Sequence, residues 1–176
     1  IKRKNLRLKN YMDYIKKNIS RSKLSLRYVL TLILLFQVNS LFAAQVDYNV
    51  DNENIALHGY DPVSYFQDQP TKGKKALTYK YNSINYIFSN EKNMKIFKSS
   101  PDNYLPEFGG YCAYGVRLGK KFDIDPTAYA IEYGQLYVLL NRSTKNLWDN
   151  DRKRNISIAQ RIWKTIESVS PDTLNN

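Results

Sequence analysis

The sequence predicts a small single domain of the α+β class, an antiparallel sheet from two hairpins packed by short helices, with an amphipathic C-terminal helix. Three observations predict it. Two segments rich in aromatic and β-branched residues fold back across the dipeptides Asn82-Ser83 and Tyr133-Gly134. Cap and proline signals stand ahead of short helical stretches at Asp61-Pro62, Ser89, Pro101 and Asn141. The stretch 152–169 places Ile156, Ala159, Ile162 (or Trp163) and Ile166 on one helical face.

In chain order, residues 46–55 read as a polar, extended lead-in. Asp61 caps a helix start at Pro62, where proline's fixed φ and missing N–H do no harm, and Val63, Tyr65 and Phe66 supply apolar contacts. Residues 67–75 read as a loop, followed by a hairpin over 76–81 and 84–88. Ser89 is the expected cap of a helix over 90–98 that presents Met94 and Phe97, and Pro101 opens a turn to Tyr104. Gly109-Gly110 lets the backbone turn tightly before a short helix. A loop over 123–126 leads to a second hairpin, 128–132 with 135–140, and Asn141 caps 142–150. No segment repeats another and no linker separates a second domain. The domain is expected over 46–169, with a disordered tail over 170–176.

The first 45 residues hold ten Lys/Arg and one acid, so +9 of the formal charge of +11 lies there and only +2 on the rest. Basic residues through Arg27, an apolar run from Tyr28 to Phe36 and a short segment ending in Ala43-Ala44 follow the order of a secretory signal. Cleavage is expected after Ala43, with the bond after Ser40 as the alternative, Met12 as initiator and residues 1–11 as an untranslated leader. The apolar run of about nine residues is short against the roughly 20 that span a bilayer, so no membrane span is expected in the mature chain. The expected location is exported, periplasmic or secreted.

Composition removes several function classes. One Cys and one His exclude a disulfide framework and an intrachain Cys/His zinc site. A nearly neutral domain lacks the basic face that nucleic acid requires, and Lys72, Lys74 and Lys75 read as a solvated loop. No hydrolase, transferase or nucleotide-binding motif is present. Twelve of the 15 tyrosines follow residue 45, and those on alternating strand positions read as sheet packing.

Cys112 is the leading site candidate. At a helix start beside Tyr111 and Tyr114 it is either a reactive thiol or a small buried hydrophobe. His58 is a second metal or redox candidate, with a solvated loop histidine as the alternative. Asp61, Asp123 and Asp125 offer hard-cation oxygens, although Asp61 before Pro62 reads first as a cap.

Several separated motifs resemble the exported YHS domain-containing proteins. They are the run Gly59-Tyr60-Asp61-Pro62-Val63-Ser64-Tyr65-Phe66, then Tyr86-Ile87-Phe88-Ser89, then Phe97 with Pro101 and Tyr104. Gly109-Gly110-Tyr111-Cys112-Ala113-Tyr114-Gly115-Val116, Gly119 to Phe122, Asp125-Pro126, Gly134 to Tyr137 and Trp148 with Trp163 continue the match over about residues 54–166. The resemblance implies an exported bacterial domain associated with metal handling or redox chemistry, with a reactive chalcogen in some relatives where Cys112 stands. Metal-binding versions of the motif carry Cys where this chain has Ser64, Ser89 and Asn93, and hydroxyl and amide groups are poor ligands for Cu(I) or zinc. Binding of a soft metal such as copper would then rest on Cys112, completed by His58 or by a second chain in a homodimer. The expected function is metal binding or thiol redox, with a redox partner, through this single Cys. Tyr60, Asp61, Gly109, Gly110, Tyr111 and Tyr114 form the supporting motif of that candidate site, and the alternative is a non-catalytic binding or interaction module whose Cys is structural.

Overall fold

The computed structural model describes residues 12–14, 16–17, 45–67 and 69–176. Residues 12–14 and 16–17 are helical, while the expected signal core and its cleavage point after Ala43 lie outside the described residues. Residues Gln45–Asn176 form a unit of their own and carry the α+β architecture. Its strands are β1 (Lys74–Tyr81), β2 (Ile84–Phe88), β3 (Asp125–Glu132) and β4 (Gln135–Leu139). Its helices are α1 (Glu91–Ser99), α2 (Ala113–Arg117), α3 (Arg142–Asp149), α4 (Arg152–Ile166) and α5 (Pro171–Asn175).

Both expected hairpins form, but as two separate two-stranded sheets, β1-β2 and β3-β4. Each turns through two residues of positive φ, Asn82 and Ser83 in one and Tyr133 and Gly134 in the other. That conformation matches the right-handed twist of the flanking strands. Asp61 caps the 3₁₀ turn Pro62–Phe66 as expected, its side chain accepting from Val63 N. The cap of α1 is Asn90, not Ser89, because the Ser89 hydroxyl is engaged by Asp61. Asn141 caps α3.

The chain contains a structural repeat that its sequence conceals. Lys74 pairs with Phe88 and Asp125 with Leu139, an offset of 51 residues in both strands (74 to 125, 88 to 139). The register slips at the same place, between Lys74 and Thr78 and between Asp125 and Tyr129. The same offset relates the parallel bridges Ile55 to Asn85 and Pro106 to Leu136. It also relates the hydrogen bonds Asp61 N to Thr71 O and Cys112 N to Phe122 O. Three consecutive positive φ values, 54, 52 and 78° at Leu57, His58 and Gly59, recur as 56, 62 and 81° at Phe108, Gly109 and Gly110. Residues 55–99 and 106–150 are therefore two copies of one frame: a left-handed turn, a capped helical turn, a hairpin and a capped helix. Only Gly59/Gly110, Tyr60/Tyr111, Tyr86/Tyr137 and Asn90/Asn141 match in residue type.

Each copy packs an aromatic residue of its helix against its hairpin. Phe97, fully buried, has the rings of Tyr79, Tyr81, Tyr86, Phe88 and Tyr104 within 4.9–6.4 Å. Its equivalent, the fully buried Trp148, lies 5.2 Å from Tyr137. Tyr65 joins the copies, its hydroxyl donating to Pro126 O at 3.0 Å and its ring meeting Tyr129 edge-on.

Helix α4 buries Ile156, Ala159 and Ile166, the expected face, and ends at Ile166, short of the predicted Val169. The tail expected to be disordered instead carries α5, capped by Ser170. It is held by Asn175, which accepts from Lys121 N at 3.2 Å and donates to Lys121 O at 2.7 Å. The Lys121 side chain is wholly buried. Its ammonium donates to Asp47 Oδ2 (3.1 Å), Glu167 O (3.0 Å) and Val169 O (2.7 Å), and lies 5.1 Å from both the Tyr111 and Trp163 rings. A buried ammonium is tolerated only when its three protons are satisfied, and here they are.

Candidate functional site

The repeat places Asp61 and Cys112 in the same slot. Asp61 Oδ1 accepts from Val63 N (2.9 Å), and Oδ2 accepts from Ser89 N (2.9 Å), Ser89 Oγ (2.7 Å) and Asn93 Nδ2 (2.7 Å). Cys112 Sγ accepts from Gly115 N (3.4 Å) and from Leu140 N (3.2 Å), and Leu140 is the equivalent of Ser89. In each copy one side chain at the end of the left-handed turn therefore ties that turn to the end of the hairpin. Asp61 and Cys112 are both fully buried. The repeated glycines, Gly59 and Gly110, supply the last positive φ before this slot, which an L side chain adopts only with strain.

Ser64, Ser89 and Asn93 converge on the Asp61 slot. Ser89 and Asn93 donate to the carboxylate, while the Ser64 hydroxyl donates to Asp61 O (2.6 Å) and accepts from Thr71 N (2.8 Å). Gln67 closes the cluster by donating to Asn93 Oδ1 at 3.1 Å. These residues do not fit a soft metal. The carboxylate oxygens already receive four donors, and oxygen and amide groups are the wrong class of ligand. Among the described residues no group of three or more His, Cys, Asp or Glu side chains is arranged to hold a metal ion.

Around Cys112, burial pushes the thiol pKa up, against the opposing pull of the backbone N–H groups of Gly115, Leu140 and Tyr114. The thiol form is thereby favoured at neutral pH. His58 does not approach Cys112 by any hydrogen bond; its Nε2 meets Asp123 Oδ1 at 2.7 Å, with both side chains about half exposed. The Asp123 carboxyl is held below its ordinary range: partial burial works the other way, but the hydrogen bonds from Asn49 and His58 prevail. Asp125 accepts from its own strand at Thr127.

The supporting tyrosines divide. Tyr111 is buried and its hydroxyl donates to Asp47 Oδ2 at 2.7 Å, whereas Tyr60 is half-buried with Lys72 Nζ 6.0 Å from its ring. Tyr114 is half-buried beneath the Arg117 guanidinium at 5.2 Å. Gln67 and Lys121 carry no local sequence signal of their roles. A lysine is rarely buried, and nothing beside Lys121 in the sequence signals that its acceptors come from residues 47, 167 and 169.

No protein-family model, curated protein or solved structure matches this chain. Among the described residues no helix is long and apolar enough to cross a membrane.

Proposed function

We propose that this chain is an exported, YHS-like, non-catalytic binding module in which Cys112 is a structural core thiol. The observation that carries this reading is the shared slot: Cys112 ties its turn to its hairpin as Asp61 does in the first copy, and it does so with no exposed surface. A residue that completes the frame and cannot be reached by solvent is suited to packing rather than to exchange chemistry.

A second reading, a thiol-redox or metal-binding role for Cys112, has one observation in its favour. Two backbone N–H groups point at the sulfur, and such donors stabilise a thiolate. Alkylation of the folded protein across pH separates the two, with Cys112→Ser as the blank and Cu(I) titrated into both proteins. The binding-module reading expects labelling only on unfolding and equal metal uptake by the two proteins. Labelling of the folded protein with an apparent pKa below about 8.5, the ordinary thiol value, overturns it.

A further inference from the structure

The two copies differ most at the mouth above the shared slot. In the first copy it is polar and closed, with Gln67, Asn93 and Ser89 bonded to one another over Asp61. In the second copy the same three positions are Leu118, Thr144 and Leu140. Leu118 and Leu140 are brought together by one sulfur: Leu140 N and Gly115 N both donate to Cys112 Sγ, and Leu118 N bonds Gly115 O. Leu147 lies on α3, which starts directly after Leu140 and its cap Asn141 and packs against α2, the helix that ends beside Leu118.

These leucines are 55, 38 and 48 % exposed for Leu118, Leu140 and Leu147. Among the described residues from 45 to 176, the other large hydrophobic so exposed is Tyr133, at a hairpin tip. The frame does not require leucine there, since Gln67 and Ser89 occupy two of the equivalent positions in the first copy. The rim is cationic. Arg142 opens α3 where Glu91 opens α1, although a helix N-terminus favours an acid and disfavours arginine. Arg117, beside Leu118, has its Nε buried and unpartnered. Neither arginine meets an acidic side chain among the described residues.

We propose that the face formed by Leu118, Leu140 and Leu147, with Arg117 and Arg142 at its rim, docks an acidic amphipathic segment of a partner protein. The inference rests on the binding-module reading and names its partner class. Apolar residues of the segment cover the leucines, and its carboxylates meet two guanidiniums whose planar forks match them. A second copy of this chain is a poorer occupant, because a twofold contact sets both arginines against their own kind. An anionic membrane is also poorer. The face exposes no aromatic anchor, and the nearby Lys145 is paired with Asp149.

The test uses the purified protein with a 15-residue Leu/Glu peptide whose leucines follow helical spacing, and a scrambled peptide of equal composition. Phosphatidylglycerol vesicles and sedimentation of the protein alone form parallel arms. The patterned peptide is expected to bind roughly tenfold more tightly than the scrambled one. The double variant Leu118→Gln/Leu147→Gln should lose that preference, and Arg142→Glu alone, at an exposed position, should weaken binding severalfold and reduce its salt dependence. Equal binding of both peptides, unchanged binding by Arg142→Glu, vesicle binding in place of peptide binding, or self-association abolished by the same substitutions overturns the proposal. If the peptide is not bound while Cys112 stays unreactive in the folded protein, this inference alone fails. If Cys112 reacts in the folded protein, the underlying reading fails whatever the peptide does.

Discussion

The two copies of the repeat solve the same backbone problem with opposite chemistry. In residues 55–99 a carboxylate fills the slot after the left-handed turn and is satisfied by four donors, two of them side chains. In residues 106–150 a thiol fills it and receives two backbone donors, with leucine and threonine where the first copy has serine and asparagine. The first copy gains specificity from a closed polar network, in which each lost partner strands another. The second copy gains the same closure from packing, and leaves apolar surface outside. The same turn thus holds a carboxylate where side-chain donors surround it and a thiol where they do not.

The largest test asks whether the copies form one cooperative unit. Phe97→Ala and Trp148→Ala remove equivalent, fully buried rings, and each is expected to destabilise by about 3–5 kcal/mol. Urea unfolding should show a single transition for both variants; a second transition in either would mean that the copies unfold independently.

The next contrast is chemical. Asp61→Ala leaves Asn93 Nδ2, the Ser89 hydroxyl and two backbone N–H groups without their acceptor, and a loss of about 3 kcal/mol is expected. Cys112→Ala strands two backbone N–H groups and removes one atom, for about 1–2 kcal/mol. Equal midpoint shifts in chemical denaturation would erase the distinction between the polar and apolar copies.

Glycine conformation supplies a smaller, symmetrical effect. Gly59 and Gly110 hold φ of 78 and 81°, so alanine at either should cost about 1–2 kcal/mol. Lys74→Ala, at an exposed edge position, should lie within about 0.5 kcal/mol of wild type. Melting temperatures ordered otherwise would remove the tight-turn argument.

The smallest effect concerns Glu107, which stands where the first copy has Ala56. Burial raises its carboxyl pKa above the ordinary 4.5. Because the folded value is the higher one, the stability this group contributes is complete below pH 4.5 and is lost as pH rises through the folded value. Glu107→Gln should therefore melt later than wild type at pH 7, with the difference closing in acid. A difference that grows on acidification would reverse the assigned sign.

What the sequence discloses follows the range of its signals. The hairpins, the Asp61 and Asn141 caps and the Gly109-Gly110 turn were legible because each is written in adjacent residues. The repeat was not, because it is carried by φ angles and hydrogen-bond partners that unlike residues share: Leu57 and Phe108, His58 and Gly109, Asp61 and Cys112. Local sequence favours Ser89 as the cap over Asn90 because the competing acceptor, Asp61, lies 28 residues away. Helix α5 has no local signal because its anchor is Lys121, far away in the chain. The motif residues Tyr60, Asp61, Gly109, Gly110, Tyr111, Cys112 and Tyr114 all fall on the turns and slots of the repeat, whereas His58 joins Asp123 and not the thiol.

The buried Lys121 grips Asp47 near one end of the folded unit and the carbonyls of Glu167 and Val169 near the other. A backbone bond from Asp47 N to Glu167 O at 2.8 Å reinforces that junction. Asp47 and the segment from Glu167 to Val169 are thus side by side. Such a unit can be spliced into a loop of a host protein as readily as appended to a terminus, and it can be circularly permuted with a short bridge. Tension applied through its two ends would reach the contacts of Lys121, its ammonium clamp and its two backbone bonds with Asn175, in advance of either hairpin.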